Sequence, residues 1–167
     1  MSEGGATTGP DPAASARAIY AAYLAMQALG GVVLWVLIDN TAFVRSGFEL
    51  VSGRHAVTDA FFPADLVVIV ASAVSSYAVR EAKDWALPLV AFTAGGVIYP
   101  TTYLLAWVAF TDGPARPALG VMLVVSMLTG WALFGVWRLD RLAAPPRPDP
   151  AAKVWDPPPA VPEWDDP

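Results

Sequence analysis

Four stretches of this chain are too apolar and too long to belong to a water-soluble domain, and they constrain its fold more than any other feature. The first, Ala18 to Ile38, contains no charged side chain. A membrane-crossing helix needs about 20 mostly apolar residues, because the hydrocarbon core is about 30 Å thick and each residue rises about 1.5 Å. Leu66 to Val79 is apolar but short, so the second crossing has to begin near Ala60 and carries Asp65 inside its outer end. Trp85 to Phe110 supplies the third crossing and Leu119 to Trp137 the fourth. Hydrocarbon offers a backbone no hydrogen-bond partner, so each stretch is predicted to be a helix. The fold class is therefore all-α, an integral membrane four-helix transmembrane bundle.

Composition agrees. Hydrophobic residues make up 56% of the chain and charged ones 15%, against about 25% charged in ordinary soluble domains. The net charge of −5 owes much to the two ends, at Glu3, Asp11, Asp149, Asp156, Glu163, Asp165 and Asp166, so it says little about a binding site. A length of 167 residues suits one compact unit with tails. We divide it into a disordered N-terminal tail (1–16), a four-span domain (17–142) and a disordered, proline-rich, acidic C-terminal tail (143–167). The first fifteen residues lack the basic start and short apolar core of a secretory signal, so the first apolar stretch reads as a retained span. The heavy use of Ala, Val, Gly, Pro and Asp with almost no Lys is associated with GC-rich, mostly prokaryotic genomes, so a prokaryotic plasma membrane is the expected location.

The connections fit this count. Arg80-Glu81-Ala82-Lys83-Asp84 and the breaker-rich segment from Thr111 to Pro117 are short turns that force antiparallel neighbours. Between Asn40, an N-cap residue, and Gly53, a helix stop, Val44, Phe48, Val51 and His55 recur at helical spacing. A short extracytoplasmic helix lying on the membrane surface is predicted there. Arg17, Arg80, Lys83, Arg138, Arg141, Arg147 and Lys153 fall on one side of the bundle, and Arg45, Arg54 and Arg116 on the other. This asymmetry puts both termini in the cytoplasm. After Leu142 the proline density precludes helix and sheet alike, and a solubilising tail is the default expectation. Its paired elements, Trp155-Asp156-Pro157 and Trp164-Asp165-Asp166-Pro167, are the one part of it with the chemistry to dock a protein partner.

Ionisable residues inside a membrane are costly and usually serve a purpose. Asp65 is the one such residue here, about five residues or roughly 7 Å below the outer end of its span. Ser72 and Ser76 continue its face, and Pro63 suits the first helical turn. In the third span Pro100 deprives the Gly96 carbonyl of its helical partner, and Tyr99, Tyr103 and Trp107 surround it. Tyr103 lies at a depth comparable with that of Asp65. A polar pocket made of Asp65, Tyr99 and Tyr103, with Gln27 from below and His55 from the loop, is the candidate site. Against it stands the ordinary reading, in which Asp65 is a helix-start anion and the aromatic residues form an interfacial belt. His55, the sole histidine, pairs with Asp59 or Asp65 or faces water. One histidine and no cysteine build neither a haem pair nor a multi-ligand metal site, so no cofactor is called for. Gly30-Gly31, Gly95-Gly96, Ala91, Gly130 and Gly135 allow close helix approach. Beyond the lipid bilayer and the tail's docking element the sequence indicates no partner, and nothing in it points to nucleic acid.

The functional expectation is a small, non-enzymatic membrane protein, an accessory subunit or binding module. The alternative is a membrane-embedded enzyme or carrier for a lipid or small apolar molecule, working through Asp65 with Tyr99 and Tyr103.

Overall fold

A computed structural model gives the structure of residues 11–111 and 115–143; the proline-rich tail and its Trp-Asp elements lie outside the described residues. Those residues form six helices: α1 (Pro12–Asn40), α2 (Ala42–Phe48), α3 (His55–Asp59), α4 (Phe62–Arg80), α5 (Ala86–Phe110) and α6 (Arg116–Ala143). No strand occurs among them. Four long apolar helices are fit to cross a membrane: α1, the α3–α4 unit, α5 and α6.

The distribution of side chains is the reverse of a soluble domain. Met26, Phe92 and Met127 are 72%, 57% and 75% exposed on the outside, whereas Ser72, Ser75, Thr93 and Thr129 are fully buried within. In water such an apolar exterior would aggregate; in a bilayer it meets hydrocarbon, and this marks the chain as an integral membrane protein. Interior hydroxyls then bond between helices. Ser75 pairs with Thr93 at 3.1 Å across α4 and α5, Ser76 donates to the Ala21 carbonyl of α1 at 2.7 Å, and Thr101 pairs with Ser126 across α5 and α6 at 2.8 Å.

The helices α1, α4, α5 and α6 form an antiparallel ring in which α1 packs most extensively on α4, and α5 on α6. Two close approaches set the first half. At Gly31 of α1 an added Cβ would lie 2.6 Å from Ile69 Cγ1, and at Gly96 of α5 one would lie 2.8 Å from Val68 Cγ2. Consecutive residues of α4 thus press against the two flanking helices through their glycines. Gly135 of α6 similarly lies against the Tyr20 ring of α1, whereas Gly30, Gly95, Gly120 and Gly130 face open space.

Local chemistry accounts for the helix ends. Helix α1 starts at Pro12, inside the segment read as tail, because Asp11 caps it: its Oδ1 accepts from the Ala13 N–H at 2.9 Å and Pro12 occupies the first turn. Helix α4 stops in a Schellman arrangement, with the Lys83 N–H bonded to the Ala78 carbonyl at 2.9 Å and the Ala82 N–H to that of Val79 at 3.3 Å. Ala82 has φ 49°, a position usually given to glycine. Pro100 leaves α5 continuous. The Thr101 and Thr102 hydroxyls donate to Val97 and Ile98 rather than to the Gly96 carbonyl freed by the proline.

The segment between α1 and α4 departs from the single helix predicted between Asn40 and Gly53. It forms two shorter helices. Thr41, not Asn40, precedes α2, since the Asn40 amide donates back to the Val36 carbonyl; Gly53 takes φ +72° in a turn beyond the helix rather than ending it. Buried Glu49 breaks the run by accepting the Gly53 N–H at 3.0 Å and pairing with His55 Nδ1 at 2.8 Å. Arg45 ties α1 to α3, reaching Asp39 at 3.0 Å and Asp59 at 3.6 Å, and the Trp107 indole donates to the Leu50 carbonyl. The segment is thereby strapped over one end of the bundle.

Candidate functional site: a cavity inside the bundle

Packing is tight at both ends and loose between them. At the end holding the start of α1 and the end of α6, Leu24, Ala78, Val90 and Val136 make a dense core with Tyr20 and Leu87. At the end beneath the strap, Leu50, Leu104, Ala115 and Ala118 make another with Phe48 and Trp107. Between these lie two adjoining cavities that share Leu34, Trp35, Asp65, Pro100 and Met122 as lining.

The lower cavity has a volume of about 520 Å³ and the upper about 100 Å³. Ligand pockets commonly measure about 300–1,000 Å³ and are mostly apolar with few polar groups, and the lower cavity fits both criteria. Its back wall comes from Val68, Ile69 and Ser72 of α4 and Gly96 and Val97 of α5. Its front is flanked by outward-facing Met26, Val33 and Leu37 of α1 and Val121 and Leu128 of α6, so it opens sideways between these two helices. Contact between α1 and α6 is the sparsest of the four neighbouring pairs. It is made at the terminal end, where Tyr20 and Tyr23 meet Trp131 edge-on. Above the opening, Gly47 of α2 nears Pro117 of α6 and closes the gap from the loop side.

Two polar features line this apolar space. Tyr23, Thr129, Gln27 and Ser72 form a hydrogen-bonded chain across α1, α6 and α4. Tyr23 and Thr129 lie 2.8 Å apart, Thr129 Oγ1 donates to Gln27 Oε1 at 2.8 Å, Gln27 Nε2 donates to Ser72 Oγ at 3.0 Å, and Ser72 donates to the Val68 carbonyl at 2.7 Å. The Tyr23 and Thr129 hydroxyls also lie 3.1 and 2.7 Å from the Val125 carbonyl, so each has a choice of acceptor for its single proton. The other feature is Asp65, in the first turn of α4, whose Oδ2 accepts the Trp35 indole N–H at 3.1 Å. Asp65 stands at the junction of the two cavities, and Trp35 is held edge-on by Phe62 at 5.0 Å.

The structure gathers only some of the residues singled out in the sequence. Asp65 and Tyr103 line the upper cavity together, and Gln27 lines the lower one with Asp65. Tyr99 does not join them: it is 77% exposed on the outer face of α5, because Pro100 and Thr101 take the inward positions of that turn. His55 pairs with Glu49 in the strap rather than with Asp59 or Asp65. Asp65 bonds back to α1 instead of across to the tyrosines of α5, since α4 packs more closely on α1. Trp35 and the Tyr23–Thr129 pair were missed. Matching depths could have found Trp35: it lies five residues before the end of α1, level with Asp65 just inside the start of the antiparallel α4.

Searched against protein-family models, curated proteins and solved structures, the chain has no significant match in any of the three.

Proposed function

We propose that this protein is a non-enzymatic binding module of the membrane, taking an apolar or amphiphilic small molecule from the bilayer into the cavity between α1 and α6. The observation that carries this reading is the sideways opening: a 520 Å³ apolar cavity whose mouth is flanked by hydrocarbon-facing side chains. A ligand reaching it never has to cross water. Two findings favour binding over the enzymatic alternative. Tyr99 faces away from Asp65, so the Asp65–Tyr99–Tyr103 set is not assembled. Each side chain of the Tyr23-to-Ser72 chain is hydrogen-bonded to a neighbour in it, and its hydroxyls are further tied to the Val125 and Val68 carbonyls, which suits a rigid lining more than a proton-transferring one.

In this reading the protein sits in a prokaryotic plasma membrane with both termini cytoplasmic, supported by the basic side chains on the terminal side. The strap then lies at the outer surface, and the Trp155 and Trp164 elements face the cytoplasm as docking peptides for a protein partner. The test is photolabelling of the full-length chain in nanodiscs with a diazirine-bearing fatty alcohol. Label should concentrate on cavity-lining residues of α1 and α6. Gly30 lines the cavity with open space before it, so Gly30→Phe should block labelling, whereas Gly95→Phe, equally unhindered but outside the cavity, should not. Label spread evenly over the outer faces, indifferent to Gly30→Phe, would refute the reading.

A further inference from the structure

We propose that Asp65 and the aromatic rings around it bind the ammonium group of a cationic amphiphile whose apolar tail occupies the lower cavity. This rests on the cavity-binding reading above and assigns the chemical class of its ligand.

Charge is the first argument. Among the described residues, every acidic side chain other than Asp65 is exposed or ion-paired; Glu49, the one that is buried, has His55. Asp65 is half-buried at membrane depth and has no cationic partner among them. Its Oδ2 accepts from Trp35, and no donor among the described residues meets Oδ1. A charge held this way is costly until a cation reaches it, and the same carboxylate repels fatty acids and other anionic lipids.

The rings supply the second argument. Trp35, Phe48, Phe61 and Tyr103 line the upper cavity with Asp65, and Phe61 and Tyr103 lie against each other at 6.2 Å. Aromatic faces around an anion are the environment that favours alkylammonium groups, which are attracted to ring faces and shed water easily. Size divides the ligand between the two spaces. The upper cavity, at about 100 Å³, is a small fraction of the lower one, so it takes the compact head group and not the tail. The lower cavity is five times larger and nearly all apolar. Asp65 stands where the two meet, so a head drawn upward leaves its tail in the space that opens to the bilayer.

The experiment uses the fatty-alcohol photolabelling on the full-length chain in maltoside micelles, with dodecyltrimethylammonium and dodecanol as competitors. The quaternary head cannot donate a hydrogen bond, so any advantage it has comes from charge and rings. Dodecyltrimethylammonium should suppress cavity labelling at a concentration about tenfold or more below that of dodecanol. Asp65→Asn should abolish the difference and leave labelling intact. Phe61→Leu, which keeps the lining apolar but removes a ring, should weaken the cation roughly two- to thirtyfold without affecting the alcohol. It decides the matter if Asp65→Asn does not fold. Equal potency of the two competitors on the unmodified chain, with labelling present, would overturn this inference and leave the binding reading standing. Absence of cavity-specific labelling from the unmodified chain would overturn both.

Discussion

The adjacent glycines of α5 should respond oppositely to the same added methyl group. In Gly96→Ala the new Cβ would sit 2.8 Å from Val68 Cγ2, whereas in Gly95→Ala it meets nothing within 4 Å. Carbon atoms pack best at about 3.5–4.0 Å, so α4 and α5 would have to separate by about half an ångström or more. Valine cannot rotate the methyl aside, because its χ1 is nearly fixed in a helix. Overpacking of this kind costs about 1–3 kcal/mol. The gain in helix propensity on replacing glycine largely cancels when unfolding is driven by sodium dodecyl sulfate, since the denatured chain stays helical there. Gly95→Ala should therefore remain within about 0.5 kcal/mol of the parent, and Gly96→Ala should lose about 1–3 kcal/mol. Combining Gly96→Ala with Val68→Ala should recover at least about 1 kcal/mol relative to additivity, because the new methyl fills the space that the valine vacates. Unfolding in mixed micelles followed by tryptophan fluorescence measures the parent and the four variants, Val68→Ala alone included. Equal stability of the Gly95 and Gly96 variants, or strict additivity with Val68→Ala, would refute the packing described for α4 and α5.

Other outcomes follow from single contacts. Gln27→Leu removes two interhelical bonds, each worth about 0.6 kcal/mol on average in membrane proteins and at most about 1.7, so a loss of about 1–3 kcal/mol is expected in the same unfolding assay. Glu49→Ala should leave the four long helices intact while hydrogen exchange at the Gly53 amide accelerates, since the strap loses its buried acceptor and the His55 pair. Ala82→Gly should stabilise by up to about 1 kcal/mol, because φ 49° is strained for alanine and free for glycine. In this cysteine-free chain, a cysteine at Ser52 should react with an impermeant maleimide in intact cells and one at Ser2 should not; the reverse pattern would invert the orientation.

Number and order of the crossing helices are decided locally, and so they were legible in the sequence. A run such as Ala18 to Ile38 has one physical solution in hydrocarbon, where its backbone must satisfy itself. The turn at Arg80–Asp84 and the presence of one carboxylate within a span were equally open to reading. The strap was not, because Glu49 and Arg45 act through partners at Gly53, His55, Asp39 and Asp59, and helical spacing is blind to such bonds.

What the tertiary structure alone decided is which face of each helix turns inward, and by how much the helices part. Sequence marks Gly30 and Gly31, or Gly95 and Gly96, as equally small; only the rotation of each helix puts Gly31 against Ile69 and Gly96 against Val68, leaving Gly30 at the cavity. Nearly uniform hydrophobicity around α1 and α5 explains the ambiguity, since a helix apolar on every side carries little periodic signal for its buried face. The same rotation sends Tyr99 outward and aims Trp35 at Asp65. The cavity exists because α1 and α6 close on each other at the terminal end while α2 closes the gap to α6 at the other, a property of segments far apart in the chain that none of them records by itself.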